Sequence, residues 1–449
     1  MNSCRQKLNS LGLEIPSVLL PRNARSSPDM RKWPVIACDQ FTQDRDYWER
    51  AKAAVADAPS TLNLIFPEVF LSDADAQERI TDIHSTMKRF LREGVFEELA
   101  QGFIYIERDT PYQKKRRGLI VAVDLERYEW KPEARPLIRC TEGTVTERLP
   151  PRMDIRRGAP LELPHVLVLI DDDTDSLLPA LGELAKKAAP VYNTPLMMDS
   201  GHVSGWFLDA EENSQASAAL TLIAEKLEEL CHRSVSRYAG GKPFLFAVGD
   251  GNHSLAAAKG IWEEYKAAHS TGGLPDHPCR YALVEIENIY DPAIQFEPIH
   301  RVVFGAGYDE ILSILSPLPD FSCRPVNDAE ELVRLCEKPS AANCFGVISE
   351  GRYALIETSA SGIATACLQP LLDRYAGDNP QLIDYIHDDE ELFRLSGADG
   401  QKSAGILLPP VQKSGLFETV ARLGPLPRKS FSMGHSCEKR FYLECRKLF

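Results

Sequence analysis

The chain reads as an α/β protein with mixed sheets. Continuous apolar runs such as Val166–Ile170 and Phe244–Val248 have the character of strands buried on both faces. Ile80, Ile83, Met87 and Phe90 recur at the spacing of one helix face. The two patterns alternate along all 449 residues.

The elements follow in order. A short strand is expected at Val35–Ala37, before a loop at Cys38–Asp44. A helix begins near Ser72 and stops at Gly94. Phe103–Ile106 and Leu119–Val123 are strands, and Val166–Ile170 ends in Asp171-Asp172-Asp173. A helix spans about Ser214–His232 on an apolar stripe of Leu220, Ile223, Leu227 and Leu230, and Gly240-Gly241 punctuates the chain. Phe244–Val248 then leads through Gly249–Ser254 into an alanine-rich helix, Leu255–Lys266. Strands close this region at Tyr281–Ile286 and Ile299–Phe304. Beyond Gly305, helices at Asp309–Leu315 and Asp328–Cys336 alternate with strands at Phe345–Ile348, Tyr353–Ile356 and Gly405–Leu408. A basic stretch runs from Arg428 to Phe449.

This length exceeds one comfortable core, so three segments are expected: 1–135, 136–305 and 306–449. Hydrophobic content of 44% supplies a full core without metal or disulfide staples. A net charge of −14 has the wrong sign for gripping nucleic acid, and the basic runs Lys114–Arg117 and Arg152–Arg157 are short. The 11 cysteines include no Cys-x-x-Cys pair, which argues against a zinc ribbon and suits idle thiols in a reducing cytosol. No apolar run reaches membrane-spanning length, and Met1–Leu13 is too polar for a signal peptide. The expected place is the cytoplasm, with neither nucleic acid nor membrane as partner.

Gly249–Ser254 carries the clearest chemistry. Gly249 and Gly251 let the backbone turn sharply between strand and helix. The first helical turn offers unpaired N–H donors, with Asn252, His253 and Ser254 adding side-chain donors for a phosphate. Asp250 could hold Mg²⁺ against that phosphate. The loop is neither a Walker A nor a Gly-x-Gly-x-x-Gly pattern. The plainer reading is a turn in which Asn252 or Ser254 caps the helix. Arg152 is a candidate phosphate clamp, although surface ion pairs are the ordinary use of Arg152, Arg156 and Arg157. Asp171–Asp173 could bind a metal or simply be solvated, and His300 reads best as structural.

Four blocks carry a resemblance: Ile138–Thr144, Gly249–Ser254, Glu297–Arg301 and Pro427–Ser430. On these the whole chain is similar to the bacterial family called domain of unknown function 1015. The Asp250-Gly251-x-His253 box also resembles, over about 136–304, that of the ParB-like superfamily, which includes an ADP-dependent free-serine kinase. The resemblance implies a ParB-like nucleotide-binding core with flanking α/β segments and an insertion at about 172–240. It implies phosphoryl transfer from ATP or ADP, with Mg²⁺, to a small-molecule hydroxyl, free L-serine giving O-phosphoserine. Glu142 would then be the catalytic base, accepting the hydroxyl proton. Without the resemblance Glu142 is a solvated loop residue. Asn252 and Ser254 stand where the kinase box has histidine and arginine. These departures keep open a second reading, a protein that senses a nucleotide without turning it over. No role follows for Lys429 and Ser430.

Overall fold

The computed structural model describes residues 2–210, 214–238, 241–269, 277–337, 343–387, 389–396 and 402–449. Gly240 lies outside them. Two compact units emerge, one of Met1–Ile294 with Gly434–Phe449, the other of Gln295–Met433. The mixed α/β expectation is borne out.

The first unit is built on a sheet of 11 strands. Nine form its path: β1 (Phe96–Asp109), β2 (Arg116–Asp124), β3 (Tyr128–Glu129), β4 (Ile138–Cys140), β5 (Leu167–Ile170), β6 (Tyr192–Pro195), β7 (His202–Asp209), β8 (Phe246–Asp250) and β9 (Tyr281–Asn288). Their order is β6-β7-β1-β2-β9-β5-β8-β4-β3. β8 runs parallel to β4 and antiparallel to β5, so the sheet is mixed at the candidate loop. All four residues of β5 are buried, as its unbroken apolar run requires.

The expected boundary at 135/136 does not separate compact bodies. β1 and β2, from the first expected segment, share the sheet with β9 from the second. Ladder hydrogen bonds between strands distant in sequence overrule a boundary read from local composition.

Four helices of this unit matter below: α1 (Ala76–Arg92), α2 (Leu149–Arg156), α3 (Leu177–Ala185) and α4 (Ser214–Arg237), followed by α5 (Asn252–Ala268) after the loop. Ile80, Ile83, Met87 and Phe90 of α1 are buried, as their spacing predicts. Asp172 is buried at the start of the α3 turn, where its carboxylate accepts from the N–H of Ser176 at 2.7 Å and Leu177 at 2.9 Å. Asp173 pairs with Arg233 and Arg237. The acidic strand end is therefore a capping and ion-pairing device.

From Gly434 onward the basic stretch belongs to the first unit, where Lys439, Arg440 and Arg446 are buried. Phe441 pairs with Ile36, and Arg446 with Glu162, in short ladders. Arg440 is only 3% exposed; its Nε donates to Glu285 at 2.7 Å and its Nη2 to Glu444 at 2.6 Å. Arg446 donates to Glu162 at 2.6 Å. Each cation finds an acid brought from far along the chain, which compensates its desolvation.

The second unit has a six-stranded antiparallel sheet: β10 (His300–Phe304), β11 (Ser322–Val326), β12 (Asn343–Ser349), β13 (Arg352–Thr358), β14 (Ile383–Ile386) and β15 (Ser403–Leu407). Their order is β11-β13-β12-β15-β10-β14. Its core holds Val303, Phe345, Val347, Ile356 and Ile406. Among the described residues no helix is long and apolar enough to cross a membrane.

Candidate functional site

β8 delivers the loop through a bulge. Val248 pairs with Val168 and Asp250 with Leu167, so Gly249 is the extra residue. Gly251 caps α5 with φ of +78°. A Cβ there would stand 3.0 Å from Val166 Cγ2 and 3.1 Å from Val166 Cα. Glycine is thus required by backbone hand and by packing on Val166. Gly251 supplies no side-chain cap, so the first N–H groups of α5, those of Asn252, His253 and Ser254, have no acceptor within the helix. They form an anion-receptive end.

Asp250 is committed to the protein. One oxygen accepts from the Gly251 N–H at 2.9 Å, and the other lies 3.1 Å from Lys439 Nζ. Among the described residues no group of three or more His, Cys, Asp or Glu could share a metal ion. Asp250 is thus ion-paired with Lys439 beside the glycine loop. A Mg²⁺ ion at this end would arrive with nucleotide phosphates.

The loop carrying Glu142 lies against the glycine loop. Thr141 Oγ1 donates to Val248 O at 2.6 Å and accepts from Asn252 Nδ2 at 3.5 Å. Val145 N–H donates to His253 Nε2 at 3.1 Å. Glu142, half-buried, is therefore held between two attachments to the start of α5. Asn252 Oδ1 is buried and, among the described residues, has no hydrogen-bond partner.

α2 packs along α5 and brings Arg148 and Arg152. Burial, with the charges of Arg152 and Arg148, holds His253 down to about 4. Its imidazole is neutral at pH 7, as acceptance from Val145 N–H requires. Arg152 forms an ion pair with Glu68. Burial pushes the Glu68 carboxyl up to about 7, Arg152 opposing and Asp39 adding to the shift.

Sequence reasoning missed His165, Asp39, Cys38, Lys439 and Tyr442. Ser254 Oγ lies 2.8 Å from His165 Nε2, and His165 Nδ1 lies 3.0 Å from the Tyr442 hydroxyl. Tyr442 donates to Cys38 Sγ at 3.0 Å. Asp39 Oδ2 is 4.0 Å from His165 Nε2. Burial lowers the His165 pKa, with Asp39 and Asp250 opposing. For Asp39 burial acts upward, yet His165, Gln40 and Lys439 together hold it below the usual carboxylate range. Ser254, His165, Tyr442, Cys38, Arg152 and Glu68 border one cavity of about 140 Å³. Its parts come from stretches far apart along the chain, so no local motif announces them. A lone histidine at the foot of a buried strand is the only trace.

Of the remaining expected residues, Arg156 lines the same cavity and the others lie outside it. Arg156 pairs with Glu162 at 2.5 Å and Arg157 with Glu264 at 2.9 Å. In the second unit, Arg301 is fully buried; its Nε donates to Gln369 at 2.9 Å and its Nη2 to Lys429 O at 3.0 Å. His300 Nδ1 accepts from Leu408 N–H at 3.0 Å. Ser430 donates to Pro427 O at 2.6 Å. These contacts hold that unit's own loops.

Among solved structures, a free serine kinase in complex with AMP is 12% identical with a TM-score of 0.38, covering 76% of this chain and 95% of that one. A conserved hypothetical protein from Pyrococcus furiosus is 12% identical with a TM-score of 0.34, covering 72% and 90%. SbnI with a C-terminal truncation, from Staphylococcus aureus, is 10% identical with a TM-score of 0.34, covering 70% and 82%. No curated protein matches the chain. A family model matches residues 19–375, spanning both the Glu142 loop and the glycine loop, and the chain belongs to that family, described as Protein of unknown function (DUF1015).

Proposed function

We propose that the first unit binds ATP or ADP with a phosphate at the amino end of α5 and transfers a phosphoryl group to the hydroxyl of a small acceptor. The observation that carries this reading is the pair of contacts, Asn252 to Thr141 and His253 to Val145, that ties the Glu142 loop to the unsatisfied N–H groups of α5. A base and an anion site on adjoining loops are what phosphoryl transfer requires. The N–H groups of Asn252, His253 and Ser254 hold the phosphate, and Arg148, whose charge is felt at His253, offsets the phosphate charge. Glu142 takes the acceptor's proton as the acceptor oxygen bonds to phosphorus. The bond from phosphorus to the nucleotide's bridging oxygen breaks, and the nucleotide leaves with that electron pair. Mg²⁺ enters with the nucleotide as part of the substrate. The resemblance read from the sequence points to free L-serine as acceptor.

One observation favours the sensing alternative: Asp250 is neutralised by Lys439, so the loop lacks a free carboxylate for a metal. A thermal-shift series with ATP, ADP and AMP, each with and without Mg²⁺, tests binding. A ligand at a hundred times its Kd stabilises the native state by about 2.7 kcal/mol. No shift with any nucleotide overturns both readings. A shift without phosphorylated product from any hydroxyl acceptor leaves the sensor.

A further inference from the structure

The cavity bordered by Ser254 is apolar over most of its wall, with Leu64, Phe66, Met87, Ile155, Ala258 and Leu283 among its lining. At about 140 Å³ it approaches the roughly 150 Å³ apolar cavity that accommodates benzene. Four charged side chains also reach it, and all are matched. Glu68 pairs with Arg152, and Glu162 with Arg156 at 2.5 Å and Arg446 at 2.5 Å. An amino acid zwitterion would bring an ammonium and a carboxylate to walls whose charges are already paired. Each would be desolvated at a cost of several kcal/mol.

The polar end suits a hydroxyl. Tyr442 OH donates to Cys38 Sγ and accepts from Cys38 N–H at 3.3 Å. Its contact with His165 Nδ1, at 3.0 Å, therefore takes the ring N–H as donor. His165 Nε2 is then the acceptor, aimed at Ser254 Oγ 2.8 Å away. With the Ser254 proton given to His165, Ser254 Oγ keeps lone pairs that accept from a ligand hydroxyl at this end.

We infer that this cavity is a binding site for a small neutral alcohol with an apolar body, its hydroxyl held at Ser254 beside His165. This site stands apart from the transfer reading above, because Ser254 borders the cavity whereas Glu142 is not among its lining residues.

Calorimetric titration of the full chain at pH 8, above the Glu68 value of about 7, tests this with benzyl alcohol, toluene, benzoate and L-serine. Benzyl alcohol is expected to bind at least about tenfold more tightly than benzoate or L-serine, the equivalent of about 1.4 kcal/mol. Ser254→Ala should weaken benzyl alcohol about fivefold, through one lost hydrogen bond, and leave toluene unchanged. L-Serine binding as tightly as benzyl alcohol, or no binding of benzyl alcohol to folded protein, overturns the inference. A parallel ADP titration separates the readings. ADP binding without alcohol binding removes this inference alone. Alcohol binding without ADP binding removes the nucleotide reading and keeps the cavity's ligand class.

Discussion

Oγ of Ser254 lies 2.8 Å from Nε2 of His165, in a cavity whose wall also carries Arg152. From sequence alone, Ser254→Arg should tighten nucleotide binding by restoring the arginine of the kinase box. The structure reverses that expectation. Arg152 already supplies a guanidinium, and a second one would crowd His165. Ser254→Arg is expected to lower stability by about 2 kcal/mol and to weaken ADP binding. Urea denaturation and calorimetry of both proteins check this.

Gly251→Val is expected to cost about 2–4 kcal/mol of stability, from the left-handed backbone and from overpacking against Val166. From sequence alone this glycine has two uses, a sharp turn and the close approach of a ligand. A variant with an unchanged urea midpoint would return the explanation to the ligand.

Glu142→Gln should keep nucleotide affinity within about twofold and lower phosphoryl transfer by at least about a hundredfold, since the amide cannot take the proton. Binding is read by calorimetry and transfer with labelled nucleotide. Undiminished transfer would remove Glu142 from the chemistry.

His253 sets a pH dependence. Its folded value of about 4 lies below the ordinary 6.5, so the unfolded chain binds more protons between those values. The stabilisation is complete above about pH 6.5 and is lost as pH falls toward 4. Allowing for partial exposure, it amounts to about 1–2 kcal/mol. His253→Gln should flatten the stability profile over that window. Denaturation series at several pH values for both proteins give the answer.

Arg440→Met is expected to destabilise by about 3–5 kcal/mol, because Glu285 and Glu444 would remain buried without their cation. Adding Glu285→Gln and Glu444→Gln should recover part of the loss. A single variant as stable as the native protein would show that the pair is not an energetic unit.

The strand–loop–helix at Gly249–Ser254 was legible because its signals are local. An unbroken apolar run, two glycines and an alanine-rich stretch each act within a few residues. The Glu142 loop could be placed by resemblance alone, and ladder pairing of β4 with β8 explains why it sits there. The helix Arg45–Val55 and strand β7 went unread, although Tyr47, Trp48, Ala51 and Val55 recur on one buried helix face.

The sequence by itself determined the α/β class, the course of most elements and the glycine turn, because propensity and periodicity are set by neighbours. Only the tertiary structure decided what surrounds Ser254. His165, Asp39, Cys38 and Tyr442 meet there because sheet pairing brings Val35 against Tyr442 and β5 against β8. It also decided that Lys439, Arg440 and Arg446 are buried while Arg428, Lys429 and Lys447 stay exposed. Charge is a property of composition, whereas compensation of charge depends on which acids the folded chain brings within 3 Å. Arg440 found Glu285 and Glu444 at 2.7 and 2.6 Å.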